Sequence, residues 1–103
     1  MAVAVIQNEM RPIHPGEILR EEFLAPLEMS ANALAMRLRV PAPRINDLVR
    51  EKRGVSVDTA LRLARFFNNT PEFWINLQTA YDLKIAKADK SEEIEHDVTP
   101  LAA

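Results

Sequence analysis

The sequence predicts an all-α fold of five helices, and three observations support this prediction. Apolar residues recur at intervals of three and four along most of the chain, which is the period of an amphipathic helix. Alternating runs of β-branched residues, which indicate strands, are nearly absent, and only two glycines occur among 103 residues. The length and the 48% of hydrophobic residues suit one domain around one core. We expect an N-terminal arm over residues 1–13, a domain over 14–86 and a flexible acidic tail over 87–103.

The first helix is predicted within HPGEILREEFLAPL, beginning at Pro15. Proline suits the first helical position because its missing N–H is not needed there. Three glutamates place negative charge near the positive end of the helix dipole. The predicted apolar face consists of Ile18, Leu19, Phe23 and Leu27. Pro26 predicts that regular helix does not continue far past Phe23.

Two short helices are predicted next, with a tight break between them. Ser30 is a suitable N-cap for a second helix over residues 31–38. The third begins near Pro41 or Ala42 and runs to about Arg50, with both of its prolines in the first turn, where N–H groups are not required. The alternative, that these prolines prevent a helix, is weaker because the pattern that follows is strongly periodic.

The fourth and fifth helices each follow a capping residue. Gly54 suits a left-handed turn, after which Ser56 caps a helix over residues 57–67. The predicted apolar face of this helix consists of Ala60, Leu61, Ala64 and Phe67. Thr70 then caps a helix over residues 71–86, where the apolar pattern fades.

The second and third helices have the spacing of a helix-turn-helix motif. A small residue on the first helix of such a motif lets the second cross it closely, and an apolar residue on the second locks the crossing. Ala35 and Ile45 fill these roles. The predicted core of the motif is Ala35, Leu38, Val40, Ile45 and Leu48. Arg39 stands at the turn, where many such motifs have glycine; a left-handed backbone there would strain arginine by about 1 kcal/mol.

Charge is distributed unevenly along the chain. The formal net charge of −2 does not by itself indicate a nucleic-acid partner. Residues 31–65, however, hold eight basic and three acidic side chains, for a net charge of +5, whereas residues 1–30 and 66–103 carry −3 and −4. A basic middle between acidic ends is expected of a small DNA-binding module.

The outward face of the third helix is therefore predicted to enter the major groove of DNA. Arginine can form two hydrogen bonds with guanine, and asparagine two with adenine. Arg44 and Asn46 are the leading candidates for reading bases. Ala42 and Pro43 have no side-chain donors but could press against a thymine methyl group.

Other charged residues on this face have more than one candidate partner. Asp47 could accept a hydrogen bond from cytosine, although an ion pair with Arg44 or Arg50 is the favoured interpretation. The residues assigned to DNA phosphates are Arg39, Arg50, Lys52 and Arg53. Phosphate contacts position a protein without specifying sequence. A plain solvated face is the alternative, for Arg39 above all, but the charge coincides with the helix-turn-helix spacing.

Other classes of function have little support in the sequence. There is no cysteine, and the two histidines, His14 and His96, lie at opposite ends of the chain, so we predict no metal site. No cofactor-binding loop and no catalytic constellation is present. The N-terminal residues do not form a secretory signal, and no apolar run is long enough to span a bilayer. We expect a cytoplasmic protein.

The aromatic stripe of the fifth helix has two interpretations. Trp74, Leu77 and Tyr81 could form a dimer seam. Alternatively they pack against the first and fourth helices within one protomer, which is the favoured interpretation for Trp74.

Four blocks of sequence resemble the HigA-type antitoxins of the Xre/Cro-like helix-turn-helix group. In order and spacing they are HPGEILREEFLAPLEMS, RINDLVREKRGVS, DTALRLARFF and PEFWINLQTAYDL, within residues 11–86. The resemblance implies a five-helix, lambda-repressor-like DNA-binding domain, commonly a homodimer, that represses its own operon and neutralises a HigB-type toxin similar to RelE ribonucleases. It also implies that Arg44 and Asn46 lie on the DNA-reading helix, and that Lys52 and Arg53 lie on the backbone-contacting loop.

Two-fold symmetry of a dimer would require operator DNA with an inverted repeat. Two alternatives remain open at this point. The chain could be a stand-alone regulator of the same fold without a toxin, or a helical protein-interaction module that does not bind DNA.

Overall fold

The computed structural model describes residues 11–102, which form five helices with no strand in this range. The first helix, α1, is α-helical over Pro15–Ile18, π-helical over Leu19–Leu24 and α-helical again over Ala25–Leu27. The others are α2 (Ala31–Leu38), α3 (Ala42–Val49), α4 (Val57–Phe67) and α5 (Pro71–Asp97). The all-α, five-helix prediction is confirmed. Within residues 11–102, none of these helices combines the length and apolar character needed to cross a membrane.

The predicted N-caps are confirmed at three helices. The side-chain oxygens of Ser30, Ser56 and Thr70 each accept a hydrogen bond from the backbone N–H three residues later. These bonds satisfy donors that a helix start would otherwise leave without partners. The capping residues therefore fix where α2, α4 and α5 begin.

The first helix ends at Leu27, one turn past Phe23 and within the predicted stretch, but its middle is π-helical rather than regular α-helix. The backbone N–H of Ala25 donates to the carbonyl of Arg20, five residues earlier, and helical structure continues to Leu27. This wide turn lets the chain pass through Pro26, which lacks the N–H that a regular α-helix would use. It also rotates the apolar face, so that Leu24 is buried and Leu27, predicted to face the core, is 55% exposed.

The predicted end of the fifth helix near Ala86 is wrong, because α5 continues to Asp97. Its buried residues are Trp74 and Leu77, both in its first two turns. Beyond them the helix leaves the core, so its sequence need not show an apolar stripe. Alanine, lysine and glutamate dominate this second half, and their high helix propensity favours helix without burial.

The core lies between α1 and the other four helices. Its largest fully buried side chains include Trp74, Leu19, Leu34, Ile45 and Leu48. On α4 the buried positions are Thr59, Ala60, Leu63 and Ala64. The predicted face of α4 was partly wrong, since Leu61 is 52% exposed.

The start of α1 crosses the end of α3 at close range. A Cβ atom added to Gly16 would lie 1.8 Å from the carbonyl oxygen of Leu48, so only glycine permits this approach. His14 caps α1 by accepting a hydrogen bond at Nδ1 from the Gly16 N–H, at 2.9 Å. Nearby, the Arg20 guanidinium donates to the carbonyl of Val49 at the end of α3. These contacts hold the carboxyl end of α3 against α1.

Gly54 does not have the left-handed backbone predicted for it. The left-handed residue of this loop is Glu51, with φ of 64°, and no glycine in residues 11–102 has positive φ. A Cβ atom on Gly54 would instead lie 2.7 Å from Oε1 of Gln78. That oxygen accepts a hydrogen bond from the Val55 N–H, also at 2.7 Å, so Gly54 makes room for the contact between this loop and α5.

Candidate nucleic-acid interface

The helix-turn-helix corner is formed by α2 and α3. Ala35, Leu38, Ile45 and Leu48 are buried, and Val40 packs partly buried against them. Arg39, the residue directly after α2, has the left-handed conformation, with φ of 62° and ψ of 45°. Its side chain is exposed at the turn. The backbone strain of about 1 kcal/mol expected for a non-glycine residue here is small compared with the free energy gained by burying the apolar side chains of the corner.

The outward face of α3 lies opposite this core. Pro43 and Arg50 are exposed there, and four more residues are half-buried: Ala42, Arg44, Asn46 and Asp47. A shallow depression on this face is lined by Asn32, Ala42, Pro43, Asn46, Asp47 and Arg50. The predicted base-reading residues therefore share one accessible surface, but some of their polar atoms are already hydrogen-bonded within the protomer.

Asn46 is held by two hydrogen bonds within the protomer. Its Nδ2 donates to Oδ1 of Asn32 at 2.7 Å and to the carbonyl of Ala42 at 3.0 Å. The side-chain amide has two N–H groups, so both are used. Asn32, in the first turn of α2, was not identified from the sequence. In the sequence, Asn32 is only a polar residue at the start of a predicted helix. Its contact with Asn46 depends on how the two helices cross.

Arg44 is held towards α4. Its Nη1 donates to Oδ2 of Asp58 at 2.5 Å, and the same oxygen accepts from Nε of Arg62 at 2.9 Å. The two guanidinium groups, Arg44 first, hold the pKa of the Asp58 carboxyl below its usual range. Asp58 was not predicted as a site residue, because it lies fourteen positions away in the sequence, on another helix.

The predicted partners of Asp47 are wrong. Its carboxylate lies 3.7 Å from Nη2 of Arg53, whereas Arg44 pairs with Asp58. The loop after α3 explains the difference, because the left-handed Glu51 turns the chain back and the Lys52 N–H donates to the Asp47 carbonyl at 2.8 Å. This return brings Arg53 beside Asp47.

The basic end of the interface is formed by the loop that follows α3. Arg50, Lys52 and Arg53 are all exposed there. Glu51, between them, lies 3.5 Å from Nη2 of Arg20 and is thus paired with α1. The loop therefore presents three positive side chains to solvent beside the outward face of α3.

Trp74 and Leu77 are 0% and 6% exposed within the protomer, so core packing, the favoured interpretation for Trp74, is confirmed and neither residue can form the alternative dimer seam. The indole Nε1 of Trp74 donates to Oδ1 of Asn69 at 3.0 Å, and its ring lies 5.0 Å from that of Phe23. Tyr81 is half-buried and meets the ring of His14 edge-on at 4.8 Å. All three side chains thus serve packing inside one protomer.

The helix-turn-helix family matches residues 19–75, more than half of the chain. Virulence-associated protein I of Dichelobacter nodosus is 57% identical over 90 residues, which cover 87% of this chain and 83% of that protein. Among solved structures, Pseudomonas aeruginosa antitoxin HigA with higBA promoter superposes with a TM-score of 0.86 at 53% identity, covering 89% of this chain and 100% of that one.

The chain belongs to the HigA-type antitoxin family. A second structure, antitoxin GraA in complex with its operator, has a TM-score of 0.86 and 54% identity, covering 94% of this chain and 98% of that one. HigA-type proteins are DNA-binding regulators rather than enzymes. The resemblance first visible in four sequence blocks is thus confirmed, and the structure places those blocks on α1, α3, α4 and α5.

Proposed function

We propose that this HigA-type chain is the antitoxin of a HigBA-type module, which represses its own operon by binding operator DNA and neutralises its toxin by binding it. The observation that supports this most strongly is the accessible face of α3, on a chain 53% identical to an antitoxin HigA whose structure includes the higBA promoter. A helix-turn-helix places such a face in the major groove.

Base reading is assigned to the outward face of α3. Arg44 is suited to guanine and Asn46 to adenine, because each can form two hydrogen bonds with that base. Ala42 and Pro43 offer apolar contact to a thymine methyl group. Asp47 is assigned an indirect role, since its carboxylate faces Arg53.

Phosphate binding is assigned to the four basic residues around this face, Arg39, Arg50, Lys52 and Arg53. All four are exposed. Contacts of this kind supply sequence-independent affinity and fix the orientation of the protein on the duplex.

The proposed assembly is a cytoplasmic homodimer on an inverted repeat, with half-sites about 34 Å apart. A single corner of this size makes few contacts, so linking two of them supplies much of the useful affinity. The proposed protein partner is a HigB-type, RelE-like toxin. Since Trp74 and Leu77 are buried, the dimer contact must use other residues.

The proposal is tested by footprinting the protein on its own promoter and by copurifying it with the product of the adjacent gene. Protection of an inverted repeat together with a stable complex is the expected result. Protection without a complex would favour a stand-alone regulator. A chain that binds no promoter sequence more tightly than random DNA, at any salt concentration, would overturn the proposed repressor.

A further inference from the structure

We infer that Asp58 is a positioning residue for DNA recognition, which holds Arg44 in a reading position and so increases discrimination between sequences at the expense of affinity. The inference rests on the proposed function, because it concerns how the α3 face reads an operator. It adds a residue on α4 to a site otherwise built from α2, α3 and the following loop.

The carboxylate of Asp58 lies in the first turn of α4, beside α3. One oxygen, Oδ2, accepts hydrogen bonds from Arg44 at 2.5 Å and from Arg62 at 2.9 Å. Arg44 is the more enclosed member of its pair, with its side chain 30% exposed against 53% for Asp58. The pair is thus a defined contact at the edge of the α3 face.

Asp58 is itself held in place by the corner. Arg62 donates from Nη1 to the carbonyl of Leu38 at 2.8 Å, and from Nε to Asp58. Leu38 is the last residue of α2, and its side chain is buried in the helix-turn-helix core. A continuous chain of hydrogen bonds therefore joins the end of α2 to the side chain of Arg44 through α4.

This arrangement leaves Arg44 with donors for DNA. A guanidinium has five N–H groups, and the bond to Asp58 uses only Nη1. Nε and Nη2 form no hydrogen bond with another side chain in residues 11–102. An unrestrained arginine would also be drawn to the phosphates, which attract every nearby cation regardless of sequence. Asp58 opposes that movement.

The carboxylate also repels DNA, because it places negative charge beside the phosphates. Its net effect is therefore a lower affinity for all DNA and a larger difference between right and wrong sequences, which is a form of selection against unwanted partners. Removing the charge should therefore raise the affinity for DNA in general and lower the ratio of operator affinity to random-DNA affinity.

The test compares Asp58→Asn with the wild-type protein on its operator and on random DNA of equal length, by fluorescence anisotropy. We expect random DNA to bind more tightly and the operator-to-random affinity ratio to fall about three- to tenfold. That is part of the roughly 10- to 100-fold discrimination that one two-bond arginine–guanine contact supplies. Asp58→Glu, which keeps the carboxylate, should retain more of the ratio.

A matched control is Glu51→Gln, which removes one negative charge near the same surface. Glu51 pairs with Arg20 and not with Arg44. It should tighten both DNAs alike and leave the ratio unchanged. The effect of Asp58→Asn on the operator-to-random ratio should also vanish in an Arg44→Ala background, because Asp58 increases that ratio through Arg44. Far-ultraviolet circular dichroism confirms that each variant remains folded.

Three outcomes are decisive. A fall in the ratio that disappears without Arg44 supports the inference. An unchanged ratio in Asp58→Asn, or a fall that persists in the Arg44→Ala background, overturns the inference while the repressor function stands. A wild-type protein with no preference for its operator overturns the repressor function and the inference with it.

Discussion

The side chain of Asn46 on α3 is held in place by hydrogen bonds before DNA binds. Both N–H groups of its amide are bonded inside the protomer, so contact with adenine requires the release of at least one bond. A typical internal hydrogen bond contributes about 0.5–1.5 kcal/mol, whereas a two-bond base contact discriminates by about 1–3 kcal/mol. The exchange is therefore favourable on the correct base, and the internal bonds keep the side chain ordered until then.

Replacement of Asn46 by alanine is expected to weaken operator binding by about 1–3 kcal/mol and to relax the preference at one base pair. The loss arises because alanine offers neither a donor nor an acceptor to the base edge. Competition binding with single-base variants of the operator measures both effects. An equal fall on operator and random DNA would remove Asn46 from the base-reading residues.

Replacement of Arg53 by alanine is expected to weaken binding to every sequence. Its side chain is exposed, and its only ion pair within residues 11–102 is the 3.7 Å contact with Asp47, so it remains available to a phosphate. The plot of log affinity against log salt concentration should become shallower by about one unit. A slope equal to that of the wild type would contradict the assignment.

His14 is expected to make folding stability depend on pH. It is 4% exposed, and burial, the main cause, lowers its pKa; Glu51 and Asp82 oppose this shift, and Arg20 adds to it. The neutral ring is also required for Nδ1 to accept the Gly16 N–H. The fold thus favours the unprotonated form, and this contribution is complete above the unfolded pKa of about 6.5 and is lost as pH falls below it.

Urea unfolding at about pH 7.5 and about pH 5.5 measures this dependence, and the midpoint should fall at the lower pH. His14→Asn keeps a capping acceptor that does not titrate, so its dependence should be flatter. His96→Asn is the control, because that histidine is exposed at the end of α5. A steep dependence that persists in His14→Asn would assign the effect to another group.

At the scale of elements, the crossing of α1 and α3 sets the orientation of α3, the helix to which base reading is assigned. The α3 helix has only eight residues and would be marginal by itself. Its carboxyl end is held by the glycine contact at Leu48 and by the Arg20 bond to Val49. Its amino end is set by Pro41 and by the buried corner with α2.

Gly16→Ala is expected to destabilise the protein by about 1–3 kcal/mol or more, because the new methyl group would meet backbone that cannot move aside. Gly54→Ala is the matched comparison. There the added Cβ meets the end of the Gln78 side chain at 2.7 Å, which can rotate away, so the loss should be smaller. Urea unfolding of both variants tests the difference, and equal losses would show that the α1 crossing is not the tighter constraint.

At the scale of the whole molecule, the parts predictable from sequence are those with a local chemical cause. Capping by Ser30, Ser56 and Thr70 and the apolar positions of α2 and α3 depend on neighbours a few residues away. The π turn before Pro26 depends on a choice between similar backbone hydrogen bonds. The pairing of Arg44 with Asp58 depends on how two separate helices pack. No pattern along the chain encodes those directly.

The length of α5 was also not predictable from the apolar pattern of the sequence. The helix is roughly 40 Å long, yet its buried residues lie only near its start. An amphipathic pattern reports burial, so it ends where the core ends rather than where the helix ends. The helix end predicted near residue 86 is therefore wrong, whereas the domain boundary predicted at the same residue stays a prediction.

A chain that stops after Ala86 is expected to unfold within about 3 °C of the full-length protein, because the deleted residues bury little in the protomer. Circular dichroism should still show less helix, since the deleted residues are helical as far as Asp97. Thermal unfolding at two protein concentrations measures the effect. A large drop would show that residues beyond 86 belong to the stable domain or its dimer.

The close approach of Gly16 to Leu48 has a consequence for genetics. A selection for mutants that fail to silence a reporter gene should recover changes in the segment HPGE as readily as changes in α3 itself. Such mutants would look like defects of recognition, although the altered residue lies outside the helix-turn-helix and acts by tilting or loosening it. Their hallmark would be partial recovery of silencing in cells grown at lower temperature, which a lost base contact would not show.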